Sequence, residues 1–419
     1  MYIKYIYSKL KNKILPCVVG LGYVGLPVFL KLNKYFQTVG YDINQNRVTS
    51  LNKFIDTNKE FSKQQLKLKK GSKLTNNKKE IDKCNFFIIS VPTPIKKNFE
   101  PDLDYLKKAS VSIAKIIKKN DIVVFESTVY PGTTKKLIKE VFDKITTLKE
   151  NKDYFICYSP ERVNPGDKKH AVDKITKILA IKSNNSSIIK RTIAVYKKIT
   201  KKLKLSKSIE DAETAKVIEN VQRDLNIALM NDILMFTKKL KLNYTNILDL
   251  ASTKWNFLKF NPGLVGGHCL PVDPYYLNYI AKKNKIKLKT ILSGREVNNS
   301  MKYFILKEIK NKRKKLLKEN NNPKILICGI TYKRNVSDTR NSISLEIYNA
   351  LKKKFNNIFA FDNVCNSSIK DKFKIFSDVK NVSQYNLIIF LVNHDKNKEI
   401  FKKAKKNIIE TYDPFHFYS

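Results

Sequence analysis

The 419 residues contain no uncharged apolar run of the roughly 18 residues that a membrane-spanning helix requires. CxxC pairs are absent too. The six cysteines stand at 17, 84, 157, 269, 328 and 365, and the four histidines lack ligand-type spacing, so a structural zinc site has no support. The N-terminal Met1–Leu10 carries lysines inside its apolar part and no small-residue cleavage site. No signal peptide is therefore expected, and a cytoplasmic location follows. Arginine is scarce: of 82 lysines and arginines only eight are arginine, although the formal charge is +45. Such a charge suggests phosphate neutralisation on a nucleic acid. A nucleic-acid binder, however, concentrates arginine and exposed aromatics in one patch. Here lysines are scattered over every expected surface among many asparagines. That pattern reads as an A/T-rich coding bias at tolerant positions, with attraction of an anionic substrate as a side effect. A basic nucleic-acid-binding protein is kept as a distant alternative.

What is present is a β-α-β rhythm. Ile14–Val19 reads as a buried strand, Val24–Leu32 as a helix and Phe36–Tyr41 as a strand ending at Asp42. Phe86–Val91, Ile122–Glu126 and Tyr154–Tyr158 are further apolar runs of strand length. Strands alternating with helices predict a doubly wound parallel α/β sheet. After a Lys/Ser-rich stretch near 200–209 the pattern changes. From Asp211 to about Leu240 there is no Gly or Pro, and apolar residues recur at 218, 225, 229, 233, 236 and 240, which predicts a long amphipathic helix. Helical sequence continues to about Lys318. The β-α-β rhythm then restarts with Ile325–Ile330, Ser342–Lys353, Ile358–Phe361 and Asn386–Val392. The expected architecture is two Rossmann-like domains, 12–205 and 319–419, joined by a central helical region, 206–318.

Gly20-x-Gly22-x-x-Gly25 follows a strand and opens a helix, with Asp42 about twenty residues on. Glycines there let a pyrophosphate approach the backbone at the helix N-terminus, and the acid takes ribose hydroxyls, which favours NAD over NADP. Lys216 and Asn220 sit one turn apart on the long helix, either as a solvated face or as an oxyanion clamp. Cys269 follows Gly266-Gly267-His268 and precedes Asp273, and by itself reads either as a structural thiol or as a nucleophile. His268 is read as a substrate-shaping or packing residue. Two turn-rich loops, Glu126–Gly132 and Tyr158–Gly166, leave strand C-termini, where doubly wound sheets bind ligands.

Together these segments resemble the UDP-glucose/GDP-mannose dehydrogenase family of nucleotide-sugar 6-dehydrogenases. The ordered motifs are GLGYVGLP (20–27), SVPTP (90–94), ESTVYPGTT (126–134), YSPERVNPGD (158–167), the Lys216/Asn220 helix, GLVGGHC (263–269) and GITYKRNVSDTRNS (329–342). The resemblance implies an NAD domain, a helical centre supporting dimerisation and a C-terminal sugar-nucleotide domain. It implies oxidation of a C6 hydroxyl to the carboxylate through a thiohemiacetal and a thioester on Cys269. Lys216 and Asn220 would stabilise the oxyanion, Glu161 and Asp273 would move protons and activate water, and Thr128 would hold the water. NAD would be held by Gly20, Gly22, Tyr23, Val24 and Gly25, together with Asp42, Arg47, Thr93, Thr128 and Arg340. The UDP-sugar would meet Glu161, Arg162, Lys216 and Asn220, and also Gly267, His268 and Lys333. The segments SPERVNPGD, Trp255–Leu258, GLVGGHC and VDPYYL resemble the branch that oxidises UDP-N-acetylglucosamine or -galactosamine for surface polysaccharides. Many UDP-glucose enzymes have lysine where this chain has Val272, and the acetamido branch often has a basic residue where Asn261 stands. The alternatives are the same chemistry on UDP-N-acetylmannosamine or UDP-glucose. No metal is expected, and no nucleic-acid or membrane partner.

Overall fold

A computed structural model describes residues 14–163 and 172–418. The Met1–Leu10 stretch and the Asn164–Asp167 half of the Tyr158 loop lie outside the described residues. The chain divides into two compact units, Met1–Glu219 with Tyr275–Ile286, and Asn220–Pro274 with Lys287–Ser419. Among the described residues no helix is long and apolar enough to cross a membrane.

The first unit holds strands β1 (Pro16–Val19), β2 (Val39–Tyr41), β3 (Lys73–Thr75), β4 (Phe86–Ile89), β5 (Asp121–Phe125), β6 (Tyr154–Tyr158), β7 (Thr176–Ile181) and β8 (Lys202–Ser206). Its helices are α1 (Gly25–Asn33), α2 (Gln45–Asn52), α3 (Asp104–Ala114), α4 (Lys139–Ile145) and α5 (Ser186–Ile199). They form one sheet in the order β3-β2-β1-β4-β5-β6-β7-β8. The central strands are apolar throughout, apart from Asp121 at the start of β5, because both faces are covered. Phe86, Ile88, Ile122 and Val124 enter one core, and Phe87, Ile89, Val123 and Phe125 the other. The pairing is parallel except between β6 and β7, which run antiparallel. Strand β8 lies where the sequence reads as a Lys/Ser-rich break. Its Lys-Leu-Lys-Leu alternation is that of an edge strand, and lysines on an edge oppose further pairing.

Helix α6 (Ile209–Lys239) crosses the division between the units, and α7 (Tyr244–Ala251), α8 (Asp273–Lys283) and α9 (Lys289–Leu316) follow it. In the second unit α6 packs on α9 through a buried polar core. Arg295 Nη1 lies 2.5 Å from Asp224 Oδ1, and Asn298 donates to the same carboxylate at 2.8 Å. Four of the six stripe positions that predict α6, Ile218, Leu229, Phe236 and Leu240, prove to be exposed, Leu225 and Ile233 are half-buried, and Val217, Val221, Ala228, Met230 and Leu234 are buried. The helix is apolar on both sides.

The second sheet has strands β9 (Ile325–Cys328), β10 (Ile358–Phe361), β11 (Ile375–Phe376), β12 (Leu387–Phe390) and β13 (Glu410–Tyr412) in the order β11-β10-β9-β12-β13, all parallel. Helices α10 (Ile343–Lys352), α11 (Ser367–Phe373) and α12 (Asp395–Lys406) cover it.

Candidate active site

Strand register sets the first half of the site. Val19 pairs with both Tyr41 and Ile89, so β1, β2 and β4 end in line at Gly20, Asp42 and Ser90. Gly20 has φ +91°, and a Cβ on it would lie 2.9 Å from the Ser90 carbonyl. A Cβ on Gly25 would lie 1.8 Å from the Gly20 carbonyl oxygen. Only glycine permits that turn. At Gly22 a Cβ would meet nothing within 4 Å, which leaves the backbone open to a ligand. Val24 is the cap position of α1 and provides no side-chain cap, so no side chain competes with a ligand at the helix N-terminus, where the Leu26 N–H bonds the Gly22 carbonyl. Tyr23 beside it is half-buried. Asp42 Oδ2 accepts from the Leu21 N–H at 2.8 Å, which fixes the carboxylate at the strand end.

Arg47 bonds the Leu21 carbonyl at 2.9 Å and pairs with Asp56 at 2.7 Å, while its Nη2 is buried without a hydrogen-bond partner. An open glycine turn, a helix end without a side-chain cap and an orphaned guanidinium nitrogen suit a dinucleotide pyrophosphate. Thr93 donates its hydroxyl to the Thr128 carbonyl at 2.6 Å, which joins the loops after β4 and β5.

Glu161 lies in the loop after β6 and is buried. Its Oε1 accepts from the N–H groups of Arg162 (2.7 Å) and Val163 (2.6 Å), and its Oε2 from Lys177 Nζ (2.9 Å). The Arg162 side chain turns away to Glu219 at 2.9 Å and to the Thr176 carbonyl. Lys216 on α6 is 8% exposed. Glu213, less than one turn before it, is fully buried and accepts from the N–H groups of Gly132 (2.6 Å) and Thr134 (2.9 Å). Burial pushes its carboxyl up to about 7. Sequence reasoning passes over Glu213, which clamps the loop after Thr128. A glutamate amid helical polar residues carries no signal of this.

In the second unit Cys269 is exposed, whereas the other five cysteines are buried. Its carbonyl accepts from the N–H groups of Val272 (3.0 Å) and Asp273 (2.8 Å) in the turn that opens α8. Asp273 is buried and accepts from Asn220 Nδ2 at 2.5 Å, so two predicted site residues meet within hydrogen-bond reach. The glycine pair before Cys269 is forced by its neighbours. A Cβ on Gly266 would lie 2.6 Å from the Asn341 carbonyl, and one on Gly267 (φ +88°) would lie 2.8 Å from the Tyr332 ring. Asn341 donates to the Gly267 carbonyl at 3.0 Å. The Cys269 loop is thereby seated on the loop after β9, which carries Lys333 and Arg340.

Arg340 grips Asp338 bidentately at 2.9 and 2.6 Å, and the His268 imidazole faces the same carboxylate at 4.0 Å. Burial, with Arg340 nearby, pushes His268 down to about 4, so the ring is neutral at pH 7. Asp338 and Tyr332 lie within the segment 329–342, but nothing in its spacing marks them as site residues.

The second sheet repeats the first glycine turn without the fingerprint. Gly329 has φ +92° and its N–H bonds the Phe361 carbonyl at 2.9 Å, as Gly20 bonds Tyr41 at 2.8 Å. The Asp362 carboxylate accepts from the Ile330 N–H at 2.7 Å, as Asp42 does from Leu21. Asp362, however, is fully buried under His394 (3.1 Å), so that carboxylate is closed to a ribose.

The sequence matches the NAD-binding domain of the UDP-glucose/GDP-mannose dehydrogenase family over residues 14–200, its central domain over 210–300 and its UDP-binding domain over 326–415. It is 42% identical over 346 residues to a UDP-N-acetyl-D-glucosamine 6-dehydrogenase of Pseudomonas aeruginosa, covering 82% of each chain. It is 38% identical over 390 residues to a protein of the same name from Salmonella typhi, covering 91% of this chain and 90% of that one. Among solved structures, a UDP-D-ManNAc dehydrogenase from Pyrococcus horikoshii matches with TM-score 0.82 at 27% identity, over 94% of this chain and 93% of that one. The chain belongs to the UDP-glucose/GDP-mannose dehydrogenase family and is an NAD-dependent nucleotide-sugar dehydrogenase.

Proposed function

We propose that the chain oxidises the C6 hydroxyl of a UDP-N-acetylhexosamine, with the gluco or galacto configuration, to the uronic acid used in surface polysaccharides. The observation that carries this reading is Cys269, the exposed thiol of six, at the head of α8 beside the Asn220–Asp273 pair. NAD bound at the first glycine turn would supply the hydride acceptor for both oxidations. The chain's own residues would do the rest. The Cys269 thiol adds to the C6 aldehyde carbon to give a thiohemiacetal. After the second oxidation water cleaves the resulting thioester, which releases the carboxylate and restores the thiol. Lys216 and Asn220 stabilise the oxyanion, Thr128 holds the water, and Asp273 and Glu161 are the carboxylates available for proton movement. Lys333, Arg162, His268 and Gly267 would meet the sugar nucleotide.

The chain would work as three parts, 12–205, 206–318 and 319–419, in a homodimer or higher oligomer and in a cytoplasmic setting. A second reading, the same chemistry on UDP-N-acetylmannosamine, is favoured by the likeness to the Pyrococcus horikoshii structure.

One experiment separates them. Purified protein is given NAD with UDP-N-acetylglucosamine, -galactosamine, -mannosamine or UDP-glucose, and NADH and uronic acid are both quantified. Two NADH should accompany each uronic acid. A ratio of one with free aldehyde would overturn the thioester route. A pocket arranged for an acetamido group leaves buried polar atoms unpaired when that group is missing, at roughly 1–3 kcal/mol each. UDP-N-acetylglucosamine or -galactosamine should therefore exceed UDP-glucose by at least about tenfold in kcat/KM. The opposite preference would refute the substrate assignment and leave the family intact.

A further inference from the structure

Glu161 is backed by a buried charge cluster that the proposed chemistry does not use. Lys177, on β7, is wholly buried, with Nζ 2.9 Å from Glu161 Oε2 and 3.2 Å from Glu126 Oε1. Tyr196, on α5 and also wholly buried, donates its hydroxyl to the same Glu126 Oε1 at 2.8 Å. Glu126 Oε2 is buried with no hydrogen-bond partner. One ammonium therefore stands between two carboxyl groups in the buried interior, and a second uncompensated negative charge there is costly.

The hydrogen bonds decide which carboxyl is charged. Glu161 receives three N–H donors, one or more on each oxygen, which is the environment of an anion. Glu126 has two donors on one oxygen and none on the other. That is the environment of a neutral acid whose carbonyl oxygen is Oε1.

We propose that Lys177 is a positioning residue that holds Glu161 as a carboxylate, and that Glu126 carries the proton that keeps the cluster neutral. The first half rests on the reading of Glu161 as a participant in the reaction. Titration tendencies agree. Burial raises both glutamates, but the Lys177 charge and the donated hydrogen bonds bring Glu161 below the usual glutamate range. Glu126 stays above it, because burial outweighs Lys177 and the neighbouring Glu161 charge adds to the rise. Burial would lower Lys177, yet its two glutamate partners more than reverse this. Among the described residues the other ionisable groups facing the cluster are Tyr196 and, on β6, Cys157. Burial raises Tyr196 well above its ordinary value and pushes Cys157 up to about 12, so neither changes charge near neutrality.

The test uses the full-length enzyme with UDP-N-acetylglucosamine and NAD, comparing wild type, K177M, K177R, E126Q and E161Q. A glutamate held below its usual range is ionised through the working pH, and losing its counter-charge raises it. In K177M the acid limb of the kcat profile should therefore move up by about one pH unit or more. kcat at neutral pH should fall about tenfold or more while KM for NAD stays within about threefold. K177R restores the charge and should return the limb most of the way. E126Q should leave the limb in place. It should also remove from the infrared spectrum at neutral pH a protonated-carboxyl C=O band that wild type shows. A K177M profile with the wild-type limb overturns the positioning role. A wild-type spectrum with no band lost in E126Q overturns the buried proton, and this readout holds even if K177M fails to fold. An E161Q enzyme of wild-type rate would instead remove Glu161 from the chemistry, a failure distinct from the infrared result.

Discussion

A thiol reacts only where it is reachable, and five of the six cysteines are sealed in cores. At Cys269 a hydroxyl would attack more weakly, and the ester it forms would hydrolyse slowly. Cys269→Ser should therefore lower turnover by at least about a hundredfold while NAD binding, measured by fluorescence titration, is kept. Near-normal NADH production by that variant would remove Cys269 from the mechanism.

Residues whose role is local were legible in the sequence. Gly20 and Gly25 are required by a positive φ and a carbonyl contact within one turn, and Asp42 by the end of the next strand. Lys177 was not legible. In Thr-Lys-Ile-Leu-Ala-Ile it reads as a surface lysine on a strand, and only the folding of β5, the β6 loop and β7 around it brings two glutamates to its ammonium.

At the scale of elements, near-continuous apolar runs told where the central strands lie, because parallel strands are buried on both faces. The reversed β6–β7 pairing and the edge strand β8 escaped. Antiparallel pairing needs no special residue, and β8 alternates lysine with leucine as many exposed segments do. The second sheet was recognised by rhythm alone, and its turn is held by Asp362 instead of a glycine fingerprint.

The Asp362 carboxylate accepts from the N–H groups of Ile330, Thr331, Val364 and Cys365 and from His394. Burial would raise this carboxyl, but His394 and the backbone donors more than reverse it, down to about 2 from an ordinary 3.8. A depressed carboxyl stabilises the fold at pH above 3.8 and loses that contribution as pH falls toward 2. Nearly two units correspond to about 2–3 kcal/mol. Asp362→Asn should lower stability at pH 7 by about that amount in urea unfolding and flatten the loss of stability between pH 4 and 2. An unchanged acid limb of the stability profile would refute the assignment.

For the whole molecule, the ordered series of motifs identified the family. The sugar was less legible: groups such as His268, Asp338 and Arg340 stand on separated loops and meet only in the fold, so no local pattern reports what they face. The long helix teaches the same lesson from the other side. Its periodic stripe gave the helix, but most of the stripe meets solvent: Leu229, Phe236 and Leu240 are 53%, 61% and 53% exposed, at spacings of seven and four that align on one face. Monomers rarely leave a continuous apolar surface of this kind, and a closed two-fold pair of identical chains is the commonest way to cover it. Each such side chain, fully buried, contributes roughly 1.5–3 kcal/mol. Wild type should therefore elute as a dimer or higher oligomer in size-exclusion chromatography with light scattering. The double variant L229E/F236E should elute as a monomer with unchanged far-ultraviolet circular dichroism, since neither side chain is in the core. A monomeric wild type at micromolar concentration would refute the oligomer, and a variant that stays paired would move the interface away from this face of α6.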